Sequence, residues 1–174
     1  MEYSKALFIA TQVKEALAPH CERIEIAGSI RRRKPFVKDI EIVAITKPYE
    51  TGLFESGIAT VVNRWEKVKG DLPCKYTQRI LPGGIKLDLF FATPGNWGLI
   101  FAIRTGSKKF SHEVLGKRWV RRGYKSENGF LWYNGKQILV PEEQDLFTRV
   151  GLPLISPDRR EVVTQEKPEH KYHN

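Results

Sequence analysis

The chain has 174 residues, of which 41% are hydrophobic, enough for the core of one ordinary domain or two small lobes. Lysine and arginine outnumber aspartate and glutamate by 29 to 20, and this net charge of +9 favours a polyanionic partner. No apolar run approaches the roughly 20 residues of a membrane span, and no signal peptide opens the sequence. We therefore expect a monomer with no membrane partner, cytoplasmic or nucleoid-associated rather than secreted.

Hydrophobic periodicity and turn residues predict helices and strands in the first half of the chain. Apolar residues at helical spacing predict helices over residues 4–18 and 55–68. Segments rich in β-branched residues predict four strands, at residues 24–27, 40–46, 75–81 and 85–92. Pro82-Gly83-Gly84 separates the last two strands and is typical of a hairpin.

In the second half, Thr93 and Pro94 predict the cap and first position of a helix that runs to about Ile103. A turn at Thr105-Gly106-Ser107 leads into another helix, which ends at about Arg122 before Gly123. Two Asn-Gly pairs then predict hairpins, and Pro141 opens a last short helix.

The order of these elements predicts an α+β fold. Residues 1–93 would form a lobe with a mixed or antiparallel sheet and helices, and residues 94–160 a smaller α+β lobe. Residues 161–174 are polar and lack a core pattern, so we expect a disordered tail there.

Three acidic residues carry the chemical signal. Asp39 and Glu41 are residues i and i+2 of a predicted strand and would share one face. Asp88 lies in an apolar strand, where a carboxylate is costly unless it is paired or bound to metal. A divalent cation would relieve their mutual repulsion, and the nearby Gly28-Ser29 offers backbone N–H groups to a phosphate. Taken singly, the acidic pair could also line a solvated strand face, and Gly28-Ser29 could be a plain turn.

Three blocks of sequence together resemble the family X DNA polymerases, within the polymerase-beta-like nucleotidyltransferases. The first is Gly-Ser, a paired arginine, Asp-x-Glu and a later lone Asp on a strand. The second runs from Asn96-Trp97-Gly98 to Thr105-Gly106-Ser107, and the third runs from Glu142 to Pro157. The resemblance implies a palm over residues 1–93 and a thumb over residues 94–160. The acidic member Glu41 departs from the family, whose polymerases mostly carry aspartate there.

The resemblance also implies the roles of the site residues. Asp39, Glu41 and Asp88 would be the catalytic residues and would bind two Mg²⁺ ions, with Mn²⁺ as a substitute. Asp88 would accept the proton of a primer 3′-hydroxyl. The phosphates and sugar of the incoming dNTP would be bound by Gly28, Ser29, Arg32, Arg104, Thr105, Gly106 and Ser107.

Ile103 and Arg104 occupy positions that are usually aromatic in the family and that crowd the ribose 2′ position. Arg104 could instead reach the triphosphate or a template strand.

A cluster of basic residues follows the Thr-Gly-Ser turn and would contact nucleic-acid phosphates, although a solvated helix face is the alternative. The predicted DNA-binding residues are Lys86, Lys108, Lys109, Lys117, Arg118 and Arg121. We expect a DNA-directed DNA polymerase that extends a primer in gapped or primer-template DNA during repair. A template-independent nucleotidyltransferase acting on RNA, a small molecule or a protein stays open, as does a catalytically weak DNA-binding module.

Overall fold

The computed structural model describes residues 1–162, so the predicted tail lies outside the described residues except for Glu161 and Val162. The prediction of an α+β fold with a mixed sheet is confirmed. Within residues 1–162, no helix has both the length and the apolar character needed to cross a bilayer.

The main sheet has five strands, formed from the first half of the chain. They are β1 (Cys21–Ile26), β2 (Ile40–Thr46), β3 (Glu66–Lys69), β4 (Tyr76–Ile80) and β5 (Lys86–Phe91). Their order in the sheet is β1-β2-β5-β4-β3. Strands β2 and β5 pair in parallel, whereas the other neighbours are antiparallel.

Each face of this sheet is covered by a different helix. Helix α1 (Tyr3–Leu17) buries Ala6, Ala10, Val13 and Leu17 against the face that carries Ile40, Ile42, Leu87 and Leu89. Because side chains alternate along a strand, Glu41 and Asp88 belong to the opposite face. There Val43 and Phe90 pack against Trp97 and Phe101 of a later helix. The acidic face is therefore the one that the second half of the chain covers.

Short helices connect the strands of the main sheet and recur in the second half of the chain. They are α2 (Gly28–Arg31), α3 (Ala59–Val62), α4 (Trp97–Thr105), α5 (Lys108–Phe110), α6 (Lys117–Arg121) and α7 (Glu143–Arg149). A π-helical stretch, Ser111–Gly116, joins α5 to α6. The predicted single helix from Ser107 to Arg122 is thus one helical segment whose middle part is π-helical.

Both predicted Asn-Gly hairpins form. Strands β6 (Tyr124–Glu127), β7 (Phe130–Tyr133) and β8 (Lys136–Ile138) make a three-stranded antiparallel meander. Asn128 and Asn134 have positive φ angles of 54° and 49°, each followed by a positive-φ glycine, as this type of turn requires.

The predicted helix over residues 55–68 is wrong in its extent. Only Ala59–Val62 is helical, and Glu66–Lys69 pairs with β4 as the edge strand β3. The apolar stripe is only partly used, because Ile58 and Val62 are buried while Val68 is 43% exposed. Strand pairing at the sheet edge outweighs the local helical pattern.

The predicted helix start at Thr93 and Pro94 is also displaced. Helix α4 begins at Trp97, because the Thr93 amide donates to Asn96 Oδ1 at 2.7 Å and the Asn96 amide donates to the Thr93 carbonyl at 3.2 Å. Residues 93–96 therefore form a turn. Gly98 then lets α4 approach the segment before α7, since a Cβ there would lie 2.2 Å from the Glu142 carbonyl carbon.

Candidate active site

Two of the three predicted carboxylates lie directly opposite each other. Glu41 pairs with Asp88 in the parallel register of β2 and β5, and both side chains belong to the same sheet face. Asp39 is half-buried and stands one residue before β2, which begins at Ile40 as predicted, so Asp39 is not itself a strand residue. Burial raises the pKa of Asp39, and the charge of Asp88 adds to that rise. The carboxylates are therefore close enough to repel one another.

Glu41 is held in an unfavourable environment for a charge. Burial, followed by the charge of Asp88, raises the pKa of Glu41 to about 7, although Arg32 and Arg104 oppose the rise. Among residues 1–162, no donor forms a hydrogen bond with its carboxylate. A side chain that is acidic, half-buried and without a donor is well suited to bind a cation.

Gly28 makes room for this carboxylate. A Cβ at position 28 would lie 1.8 Å from Glu41 Oε2, and Gly28 has a φ of +61°. Both the space and the backbone conformation therefore require glycine at the start of α2. The predicted phosphate turn and the predicted metal ligand are in direct contact.

Asp88 is held by two donors from the neighbouring strand β4. The Tyr76 hydroxyl donates to Asp88 Oδ1 at 2.5 Å, and Gln78 Nε2 donates to the same oxygen at 2.8 Å. Burial and the bond to Asp88 raise the pKa of Tyr76, so its hydroxyl stays a donor at neutral pH. The ring of Tyr76 stacks on Phe90 at 4.8 Å. These contacts fix Asp88, and within residues 1–162 its Oδ2 accepts no hydrogen bond.

The donor chemistry fits a hard divalent cation, because all three predicted ligands offer carboxylate oxygens. The geometry is less complete. Within the described part of the chain, no group of three or more His, Cys, Asp or Glu side chains converges on one point to hold a metal ion. The magnesium site therefore stays a prediction that rests on Asp39, Glu41 and Asp88.

Arg32, the predicted phosphate ligand, is engaged by the second half of the chain. Its Nη1 donates to the Thr105 carbonyl at 2.9 Å, and its Nε donates to Glu161 Oε1 at 2.9 Å. The side chain is 12% exposed. Arg32 thus links the start of the main sheet to the predicted sugar-binding turn.

Arg31 connects the first half of the chain to the second. It donates to Thr105 Oγ1 at 2.7 Å and forms a two-bond ion pair with Glu143, and it lies 3.8 Å from the Phe101 ring centroid. The buried Arg160 binds the same carboxylate. The doubled arginine was visible in the sequence, but nothing local indicated partners more than 70 residues away.

A cleft of about 560 Å³ lies between the first and second halves of the chain, and several of the predicted site residues line it. That volume is in the range of small-ligand sites. Its lining includes Arg32, Glu41, Ile103, Arg104, Gly106 and Ser107. Gly28, Ser29, Thr105, Asp39 and Asp88 lie outside its lining. A larger cleft of about 720 Å³, lined by residues such as Thr46, Pro48 and Pro94, contains none of the predicted site residues.

Arg104 lies between the cleft and the acidic face. Its guanidinium carbon is 4.1 Å from the centroid of the Phe90 ring, which in turn stacks on Tyr76. Arg104 also lowers the pKa of Glu41, against the effect of burial. Its positive charge is therefore directed toward the carboxylates, whereas an aromatic ring at this position would supply none.

The predicted DNA-binding residues lie mostly at the surface. Lys86, Lys108, Lys109, Lys117 and Arg121 are exposed, and Arg118 is half-buried. Lys117 is already paired with Glu113. Trp119 and Phe110 are buried in the core of the second half. The basic residues are thus available to a polyanion, with Lys117 the least free.

The chain matches no known protein-family model, and no curated protein is significantly similar to it. Its likeness to family X DNA polymerases therefore rests on the three sequence blocks quoted above.

Proposed function

We propose that this chain is a nucleotidyltransferase of the family X DNA polymerase type, which adds a dNMP to a primer 3′-hydroxyl in gapped or primer-template DNA. One observation carries the proposal. Glu41 and Asp88 face each other on adjacent parallel strands, and the carboxylate of Glu41 lies against Gly28 at the start of α2. This arrangement would join a cation site of carboxylates to a turn that can receive a phosphate.

Each side chain has a role in this proposal. Asp39, Glu41 and Asp88 would hold Mg²⁺ or Mn²⁺, which when bound neutralises phosphate charge and makes a hydroxyl more acidic. Asp88 offers Oδ2 to the proton of the primer hydroxyl, because Tyr76 and Gln78 occupy its Oδ1.

The substrate would occupy the cleft of about 560 Å³ that Glu41 lines. Its lining by Arg32, Arg104, Gly106 and Ser107 supports the seating of a nucleoside triphosphate there. Arg32 would bind a phosphate oxygen, since a guanidinium forms strong charge-assisted hydrogen bonds with phosphate. The backbone of Gly106 and Ser107 would lie against the sugar.

The proposed partner is DNA, and the exposed basic residues after Ser107 support it. They also fit RNA, so a template-independent nucleotidyltransferase is the second candidate. A transferase for small molecules would need no basic surface of this kind.

Primer extension tests the proposal and separates the candidates. The chain should extend a labelled primer on gapped DNA with Mg²⁺ and dNTPs, following the template sequence. Asp88→Asn should abolish extension without loss of fold, because it removes one charge and little volume. Extension of single-stranded DNA or RNA with no dependence on template would favour the second candidate. No transfer to any of these substrates, by a folded protein, would refute the proposal.

A further inference from the structure

The carboxylate of Glu161 binds two cations at the edge of the cleft. Arg32 Nε donates to Oε1 at 2.9 Å, and Lys34 Nζ donates to Oε2 at 3.3 Å. Although burial on its own raises it, the hydrogen bonds from Arg32 and Lys34 lower the pKa of Glu161. Glu161 is therefore an anion at neutral pH, and it lies on the arginine that would bind a phosphate.

The cationic side of this contact is fixed in place. Arg32 also donates to the Thr105 carbonyl, so its guanidinium is oriented even when Glu161 leaves. Because Arg32 lines the cleft, its Nε–H would then be available to another anion there. A phosphate can therefore take the place of the Glu161 carboxylate without movement of the Arg32 guanidinium.

The residue before Glu161 is fixed as well. Arg160 is 1% exposed and binds Glu143 and the Ile155 carbonyl, while its own carbonyl accepts from the Ser107 amide at 3.0 Å. The Glu161 side chain, by contrast, is 31% exposed. It can therefore swing into solvent by side-chain rotation while the backbone at residue 160 stays anchored.

We propose that Glu161 is a specificity-determining residue, which competes with the phosphates of the incoming nucleotide for Arg32 and Lys34. The inference rests on the proposed function, because it requires a nucleotide in this cleft. A carboxylate carries one negative charge, whereas a triphosphate carries several and offers more acceptor oxygens. A triphosphate therefore displaces Glu161, and ligands with a single weak charge do so poorly. The chain thus selects for polyphosphate with a residue of its own.

Calorimetric titration with inorganic tripolyphosphate and with dATP, without divalent metal, tests this inference. Glu161→Gln keeps the shape of the side chain and removes its charge. It should lower the dissociation constant for both ligands by about three- to tenfold, the scale of a partly exposed ion pair. In a background with both Arg32→Gln and Lys34→Gln the same change should have no effect, because both contested cations are gone. Glu142→Gln is the matched control, since it removes another carboxylate bound to an arginine, Arg23, away from Arg32.

The outcomes distinguish this inference from the proposed function. Equal or weaker binding by Glu161→Gln, with clear binding by the unaltered protein, would overturn it and make Glu161 a residue that positions Arg32. If neither protein binds tripolyphosphate or dATP, the proposed function fails and the inference falls with it. Thermal unfolding checks that the variant is folded. Glu161→Asp supplies a second test, because its shorter side chain reaches the cations less well and should give a smaller gain.

Discussion

The guanidinium of Arg31 and the carboxylate of Glu143 form two hydrogen bonds, of 2.7 Å and 2.9 Å, between residues 112 positions apart. Arg160 also donates to this carboxylate and is almost fully buried. One acidic side chain therefore ties α2 to α7 and to the last described turn. The Glu143 carboxylate is the counter-charge of both Arg31 and Arg160.

Glu143→Gln should lower the free energy of unfolding by about 2–4 kcal/mol, because it leaves two arginines without their buried counter-charge. Urea denaturation at pH 7 measures the change. Although burial acts in the other direction, hydrogen bonds from Arg31 and Arg160 lower the pKa of Glu143 below its ordinary 4.5. The stabilisation is therefore full above about pH 4.5 and is lost as the pH falls through the lower, folded-state pKa.

The matched control is Glu142→Gln, at the neighbouring ion pair with Arg23. That glutamate side chain is 57% exposed, so its loss should cost less than about 1 kcal/mol. A similar loss of unfolding free energy in both variants would show that the burial of Glu143 does not determine the size of the effect.

Glu41→Gln should stabilise the protein at high pH in the absence of divalent metal. The ordinary pKa of 4.5 rises to about 7 in the fold, so the folded state holds this proton more tightly than the unfolded state does. The stabilisation that protonated Glu41 contributes is therefore lost as the pH rises from about 4.5 to about 7. The gain from Glu41→Gln should be about 2 kcal/mol larger at pH 8 than at pH 5. Urea denaturation at both pH values measures it.

The same substitution at Glu22, an exposed residue of β1, is the control and should show no such pH dependence. A pH-independent effect of Glu41→Gln would contradict the burial of this charge.

Tyr76→Phe should weaken metal binding while it preserves the fold. The substitution retains the ring that stacks on Phe90 and removes only the donor to Asp88 Oδ1. Loss of a residue that orients a metal ligand typically costs about 10- to 100-fold in metal affinity or activity. Titration with Mn²⁺, followed by electron paramagnetic resonance, reports the affinity without need of turnover. Unchanged Mn²⁺ affinity would mean that Gln78 alone orients Asp88.

Removal of charge at Arg118 and Arg121 should weaken binding to DNA of every sequence alike. If both residues contact phosphates, the double change to glutamine reduces the slope of log affinity against log salt concentration by about 0.9 per lost contact. Fluorescence anisotropy at several salt concentrations measures the slope. A double change at Lys5 and Arg64, both exposed and outside this basic segment, keeps the same net charge as a control. Equal slopes for the two variants would place the DNA elsewhere.

Introduction of aromatic residues beside the turn should sharpen sugar selection. Arg104 lies over Phe90 and can donate to a 2′-hydroxyl or a phosphate, whereas a flat ring excludes that hydroxyl by contact. Ile103→Tyr with Arg104→Phe should raise the ratio of kcat/KM for dNTP over NTP by about tenfold, equivalent to about 1.4 kcal/mol. Single-nucleotide incorporation by both proteins gives the ratio. Strong rejection of NTP by the unaltered protein would instead assign selection to the backbone at Thr105 and Gly106.

Local patterns in the sequence determined the elements whose structure is set by neighbouring residues. The strand over residues 40–46 and the first helix appear almost as predicted, because their apolar spacing matches the face that each one buries. The Asn-Gly turns form because asparagine and glycine readily adopt the positive φ angles that these turns require, whereas few other residues do. The α+β fold follows from these elements, and so does the placement of Glu41 and Asp88 on strands.

Only the tertiary structure decided which side chains meet. Residues 66–69 became a strand because β4 offered an edge to pair with, although the local pattern favoured a helix. Tyr76 reaches Asp88 from the next strand, and Glu161 reaches Arg32 across 129 positions of the chain. Such contacts leave no periodic trace in a sequence, because they depend on the path of the whole chain. Hydrogen bonds and ion pairs between distant residues form only after the packed core has brought their elements together.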